Sequence, residues 1–425
     1  MLVALLLTVG CLVSAQPEAG PDELASRVQS LIRRLDAPRL EAREAAEKDL
    51  TGMGPAILEL LPADTTDFSP EVQQRLSRVR QKLEQEAAAA VVATSRVTIP
   101  GQRMPLSKAV AEISRRTGNR IVDHRARVVE RPADPEVHVA FDNTPFWEAL
   151  DDVMKQADLT VYPFGDERAI YLVDRSPDAP PFGWKGCSSG PFRFIPSELI
   201  ARRNTTAADE GALRLNLLVV WEPRLAPIGL TQKLGDIKAF DENGDELPVD
   251  GRLGELEIPV NPNATSVRLG VPFVLPSRRV QKIARLTGTL DALVPGPVET
   301  FRFDKLLEAN ETRQRVAGAT VTLQRVRGNN HTWEVEIHVR FDEANDALAS
   351  HRGWIFNNEA FLERPEGVRV ENDGFETRMQ SRNEIGLVYR FRLEGSPEKC
   401  SFIYKTPAKI FSARFPYELE NLDLP

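Results

Sequence analysis

Residues 96–174 carry one pattern twice. Val97-Thr98-Ile99-Pro100-Gly101 leads into Pro105-Leu106-Ser107-Lys108-Ala109-Val110, then into Thr117-Gly118-Asn119-Arg120-Ile121-Val122. Val137-His138-Val139-Ala140-Phe141 leads in the same way into Pro145-Phe146-Trp147-Glu148-Ala149-Leu150, then into Ala157-Asp158-Leu159-Thr160-Val161-Tyr162. Each copy reads as strand, helix, strand. Leu106, Val110 and Ile113 fall on one helical face, as do Phe146, Leu150 and Val153. Val137, Val139 and Phe141 alternate inward, which turns His138 outward. The expectation is a small βαβ-type domain over residues 96–175.

The segment before it, 22–88, is helical by pattern. Leu24, Val28, Leu31, Ile32 and Leu35 follow the 3.6-residue period, and Pro38 ends that run. Leu40, Ala42, Ala45, Ala46 and Leu50 form a second helix that Gly52 and Gly54 stop. A short third helix covers 55–61. Ser69-Pro70 is an N-cap followed by proline in the first turn, and Val72, Leu76, Val79 and Leu83 then share a face. The phrases at 40–50 and 54–61 resemble one HEAT-like helical repeat. A solenoid needs about three repeats to bury a continuous core. One unit therefore leans on its neighbour or serves as a small interaction platform.

After 175 the periodicity changes to two. Residues 176–186 mix proline, glycine and an aromatic residue, as a linker does. Leu213, Leu215, Leu217, Val219 and Trp221 alternate on one face, while Leu218 and Val220 make the strand apolar on both sides, as a central strand would be. Short strands follow at 256–260, 267–271 and 298–303. The charged stretch 304–315 reads as a boundary. Further strands at 321–326, 333–341, 387–393 and 409–415 form a second unit. Turns are expected at Asn243-Gly244, Asn329-Asn330 and Asp373-Gly374. The reading is two immunoglobulin-like β-sandwiches, 187–306 and 314–425.

A chain of 425 residues suits about three domains at ~150 residues each. Its net charge of −8 keeps it soluble and argues against a broad nucleic-acid-binding face. Residues 1–15 read as a signal peptide, with an apolar run over 2–13 and Val13-Ser14-Ala15 at the cleavage site. No Lys or Arg precedes that run. An alternative makes Thr8-Val9-Gly10-Cys11 a lipoprotein signal with Cys11 lipidated. No later run approaches ~20 apolar residues, so no transmembrane span is expected in the mature protein. The expected location is the periplasm or cell envelope. Cleavage leaves Cys187 and Cys400, and an oxidising compartment invites a disulfide between them.

The chemistry-bearing residues do not assemble into a catalytic signature. His124, His138, His331, His338 and His351 show no zinc-helix spacing. Glu336 and His338 neighbour each other on the outer face of a strand and read as a surface ion pair. Residues 241–246 (Asp-Glu-Asn-Gly-Asp-Glu) have glycine at the wrong place for an EF-hand and read as a hairpin turn, with a weak surface calcium site as the alternative. No Gly-x-Ser-x-Gly elbow and no phosphate-cradling glycine loop occurs. The basic run 277–285 reads as a guard on a sheet edge, with an acidic partner as the alternative. Trp147, Trp221 and Trp333 read as core. Trp354 and Phe356 lie among glycine and asparagines and are the partner-binding candidates, with a sandwich-core tryptophan as the other reading of Trp354.

The duplicated domain resembles the short N-terminal (STN) module of secretins and TonB-dependent receptors. The whole order resembles a group of secreted bacterial multidomain proteins. That likeness is carried by Trp221-Glu222-Pro223-Arg224, by residues 350–359, by Tyr404-Lys405-Thr406-Pro407-Ala408 and by 417–425. It implies an architecture and an envelope location and brings no catalytic residue with it. The expected protein is thus an α+β multidomain chain with a HEAT-like segment, an STN-like domain and two β-sandwiches. It is expected to be a non-enzymatic interaction or scaffold protein of the bacterial envelope, with no metal and no cofactor. Its partner would be an envelope protein or a cell-wall or extracellular glycan. The alternatives are a glycan-binding β-sandwich protein or a secreted hydrolase. Partner binding is expected mainly in 22–175, and a cut at Pro180-Pro181 is expected to release two soluble halves.

Overall fold

The computed structural model describes residues 21–425 except 63–64, 66, 128–131, 164, 166, 177–185, 204–205, 207–210, 297, 317, 329–330, 342–351, 382 and 408–409. The leader 1–15 with Cys11, nearly all of the linker 176–186, His351 and the Asn329-Asn330 turn lie outside the described residues. The fold is mixed α/β, with few helices and many strands in several sheets. The chain divides into two compact units, the first ending at Ala90 and the second beginning at Val91.

In the first unit, α1 (Pro21–Arg34), α2 (Leu40–Gly52) and the start of α3 (Pro70–Val92) surround a core of Val28, Leu31, Leu35, Ala46, Leu50, Val72, Leu76, Val79 and Leu83. The 3.6-residue period therefore selects most of the buried face, with Leu40, at 52% exposure, and the exposed Ala45 as exceptions. Ser69 Oγ accepts from Val72 N–H, and Pro70 opens α3, so the expected cap forms. Residues 55–60 are a 3₁₀ turn, entered through Gly54 at φ +74°.

The second unit begins with the duplicated domain. Its elements are β1 (Arg96–Pro105), α4 (Leu106–Thr117), β2 (Ile121–Asp123), β3 (Glu136–Pro145), α5 (Phe146–Ala157), β4 (Leu159–Tyr162) and β5 (Ile170–Asp174). The duplication is conformational as well as sequential. Pro105 and Pro145 precede their helices at φ/ψ −55/145° and −56/145°, and Gly118 and Asp158 end them in the left-handed region. β1 pairs with β3, while β5 lies between β2, to which it is parallel, and β4, to which it is antiparallel. The apolar faces of both helices meet the strands in one core.

The first β layer pair contains β6 (Cys187–Ser189), β7 (Phe192–Arg202), β8 (Ala212–Trp221), β9 (Gly229–Lys233), β10 (Lys238–Asp241), β11 (Glu255–Pro259), β12 (Ser266–Val274) and β13 (Lys282–Pro295). One sheet runs β12-β8-β7-β6 and the other β10-β13-β9-β11. The second pair contains β14 (Val298–Phe303), β15 (Thr312–Val316), β16 (Ala319–Gly328), β17 (Thr332–Phe341), β18 (Ala360–Glu363), β19 (Arg369–Glu371), β20 (Phe375–Gln380), β21 (Glu384–Arg392) and β22 (Ser401–Pro407). Its sheets run β14-β22-β18-β19 and β15-β16-β17-β21-β20 around their own core.

Two boundaries differ from the sequence reading. The last strand, β23 (Ile410–Asp423), leaves the second β unit and pairs with β13, adding Phe415, Tyr417, Leu419 and Leu422 to the first core. Residues 298–303, expected in the first unit, pair with β22 in the second. Pro295 faces Ile410 and Val298 faces Pro407, so the two pairings share one register on either side of the junction. The second β unit is therefore an insertion carried on a two-stranded ribbon. The charged stretch 304–315 lies inside it, as a 3₁₀ turn and β15.

The duplicated domain is docked on the first β unit. Val220, Ile195 and Leu218 point away from the sandwich core and pack on the core of that domain. This is why the strand at 213–221 is apolar on both faces. Arg193 is bidentate to Asp151, with Nη1 to Oδ1 at 2.7 Å, and its Cζ lies 4.7 Å from the Trp147 ring centroid. Trp147 Nε1 donates to Pro191 O at 3.0 Å. These contacts argue against two independent halves on either side of Pro180-Pro181.

Candidate functional site

An added strand needs a sheet edge whose outward amides and carbonyls are free. Two edges of the duplicated domain are occupied by side chains. Gln156 from α5 accepts from His138 N–H at 2.8 Å and donates to His138 O at 2.9 Å, as a neighbouring strand would. Arg116 from α4 donates to Thr98 O at 2.7 Å. Pro100 and register shifts between Val97 and Gln102 further break the β1 edge.

β2 and β4 are the two edges of the three-stranded sheet, and among the described residues β2 has β5 on one side and no strand on the other. Ile170 N–H donates to Arg120 O, so the backbones of Ile121 and Asp123, one residue out of phase, face the free edge. A groove of about 450 Å³ runs beside it. Leu106, Val110, Ala111, Ile121 and Leu172 line it, with Ser107, Ser114, Arg115 and Asp123 among its polar residues.

The charges around the groove are held by local partners. Asp134 accepts from Ser107 N–H and Oγ at 2.8 and 2.7 Å and fixes the start of α4. The Ser107 amide lowers the Asp134 pKa below the usual carboxylate range. Arg125 is bidentate to Asp123 at 2.9 and 2.7 Å, and that pairing raises its own pKa. Arg115 and Arg116 hold Glu112 at about 2. An apolar trough with fixed rim charges beside an unpaired strand suits an extended segment carrying an apolar side chain.

No protein-family model, curated protein or solved structure matches the chain.

The residues singled out by sequence lie elsewhere. Trp354 and Phe356 sit in the 3₁₀ turn Arg352–Asn357. Trp354 is half-buried, edge-on to Phe341 with centroids 5.5 Å apart, and packs on the cluster of Ile228 and Ile410. It is a wedge between the two β units. Phe356 stacks on Phe375 at 5.3 Å with 23° between planes, so each ring covers a face of the other. They do not form the side-by-side platform that a sugar ring needs. Cys187 and Cys400 are not joined. Both are free thiols, one packed on the core of each β unit. The pairing inference fails because two leftover cysteines carry no information about which core each strand enters.

His338 pairs with Glu384 at 3.3 Å, while Glu336 pairs with Arg325 at 2.7 Å. The outward placement of His338 holds and its expected partner does not. Asp241 accepts from the amides of Asn243 and Asp245 at 2.8 and 3.0 Å, and Gly244 has φ +86°, which makes 241–246 a turn. Among the described residues no group of three or more His, Cys, Asp or Glu side chains could hold a metal ion. No helix among them is long and apolar enough to cross a membrane.

The sequence reading passed over one polar centre. Glu222 is fully buried and accepts from Ser95 N–H at 3.0 Å, Asn119 Nδ2 at 3.1 Å and Arg224 Nε at 2.7 Å. Arg224 also donates to Val91 O and Ala93 O, and its own amide donates to Asn119 Oδ1. The Trp221-Glu222-Pro223-Arg224 phrase thus clasps the duplicated domain to β8. Its signal was a carboxylate directly after a buried apolar strand.

Proposed function

We propose that this chain is a non-enzymatic interaction protein of the bacterial cell envelope, and that it binds an extended segment of a partner protein along β2. The carrying observation is the unpaired β2 edge beside the apolar groove, in a domain whose β1 and β3 edges are closed by Arg116 and Gln156. Main-chain bonds to Ile121 and Asp123 would supply affinity, and the trough over Val110 and Leu172 would select an apolar residue. The twice-repeated strand–helix–strand with matched caps supports an STN-like module. The helical packing of the first unit supports a HEAT-like repeat, and the paired antiparallel sheets support immunoglobulin-like sandwiches. Export rests on the apolar leader and its small-residue cleavage site.

The test is a displayed library of short linear peptides selected against the full-length chain. Selected peptides should lose affinity at least about tenfold on Ile121→Pro, which removes an outward amide, and on Ala111→Asp, which charges the groove. Ala111 is exposed on α4, so its replacement should leave thermal stability unchanged. Peptides that bind both variants as well as the parent would overturn the proposal.

A further inference from the structure

We infer that the distal end of the β7-β8-β12 face is a docking surface for an anionic phospholipid bilayer. The register places Arg202, Ala212 and Val274 in one cross-strand row and Ile200, Arg214 and Pro272 in the next. Leu213, Leu215, Val271 and Phe273 point into the sandwich core, so these two rows look outward. Ile200 is 37% exposed and Val274 52% exposed. Arginine and aliphatic side chains therefore alternate across an open sheet face.

More cations gather at the same end. Arg203 follows Arg202 and donates to Pro276 O at 3.1 Å, which ties the end of β7 to the turn carrying Arg278 and Arg279. Arg214 lies over Gly270, whose absent Cβ would stand 3.4 Å from the Arg214 Cδ. Arg202, Arg203, Arg214, Arg278 and Arg279 are exposed, and no carboxylate among the described residues pairs with them. Among the described residues, nearby acids are engaged. Glu198 accepts from Asn216 Nδ2 at 2.9 Å, and Glu242 accepts from the amides of Gln281 and Lys282. In a chain of net charge −8 this is a local excess of cations among the described residues.

The combination selects the partner. A soluble polyanion would be held by the arginines and would give Ile200 and Val274 nothing. A bilayer surface rewards both, because phosphates meet the guanidiniums while the aliphatic tips enter the acyl boundary. The site is separate from the β2 groove and does not depend on it.

The experiment is co-sedimentation of the full-length protein with vesicles of equimolar phosphatidylglycerol and phosphatidylcholine, against vesicles of phosphatidylcholine alone. Binding to the first and not the second is expected, weakening as salt rises. Arg202→Gln with Arg214→Gln should reduce partitioning about tenfold or more. Ile200→Ser with Val274→Ser should also reduce it about tenfold while the salt dependence persists. All four positions are exposed, so unchanged melting curves would exclude misfolding. Absence of binding to anionic vesicles, or binding indifferent to both double variants, would overturn the inference. So would equal binding to inorganic polyphosphate that ignores Ile200→Ser with Val274→Ser, since that identifies an anionic polymer instead.

Discussion

Tyr417 lies face to face with Phe194, 4.4 Å between centroids and 19° between planes, although one is on the last strand and the other on the second strand of the first β unit. Tyr417 Oη also donates to the buried Gln232 at 2.9 Å. The first core is thus closed by the end of the chain. Phe415, Tyr417, Leu419 and Leu422 are each almost fully buried. At about 1.5–3 kcal/mol per side chain, β23 contributes roughly 6–12 kcal/mol, comparable with the whole net stability of a domain, about 5–15 kcal/mol. A chain ending at Pro407 should therefore lack a cooperative transition for the first β unit and accumulate as aggregate. A full cooperative melt in that truncation would contradict the ribbon arrangement.

Much of the local structure was legible, and its long-range pairing was not. Alternation identifies the buried face of β8 from Leu213, Leu215 and Leu217, because a strand has period two whatever its neighbour is. It cannot say that β13 takes β23 in addition to β9 and β10, since pairing partners leave no local mark. The second apolar face of β8 signalled a cover, and the Val220 packing supplies it. The β2 groove was hidden because its wall comes from α4 and its floor from Leu172 on β5, residues with ordinary core patterns. Glu222 was hidden because a carboxylate after a strand normally faces water.

The docking of the duplicated domain on β7 depends on Asp151. Its carboxylate neutralises Arg193, which is only 6% exposed above Trp147. Asp151→Asn keeps the shape and removes the charge. A hydrogen-bonded charge pair of this kind is worth about 2 kcal/mol, and Asp151 is partly exposed, so a loss of about 1–2 kcal/mol in urea unfolding is expected. A protease site placed at Pro180-Pro181 should cut without separating the fragments on gel filtration. Fragments that elute apart would show that the contact is weak.

The two thiols should be present and slow to react. Burial raises the pKa of both Cys187 and Cys400 above the usual thiol value of 9.0. Alkylation of the folded protein at neutral pH should lag far behind that of the denatured chain, and reduction should leave its mass unchanged. The fold favours the protonated thiols. Their contribution to stability is therefore complete below pH 9 and is lost as pH rises through the raised values. A mass increase of two hydrogens on reduction would reveal a disulfide.

In the proposed function a partner strand lies along β2. Its most direct measurement is amide hydrogen exchange, by NMR, on the full-length chain with and without a selected peptide. Protection should rise at Ile121 and Asp123, whose backbones face the free edge, while Val122, which faces β5, should change little. Binding that protects other strands and leaves Ile121 and Asp123 exchanging as in the free protein would contradict the account.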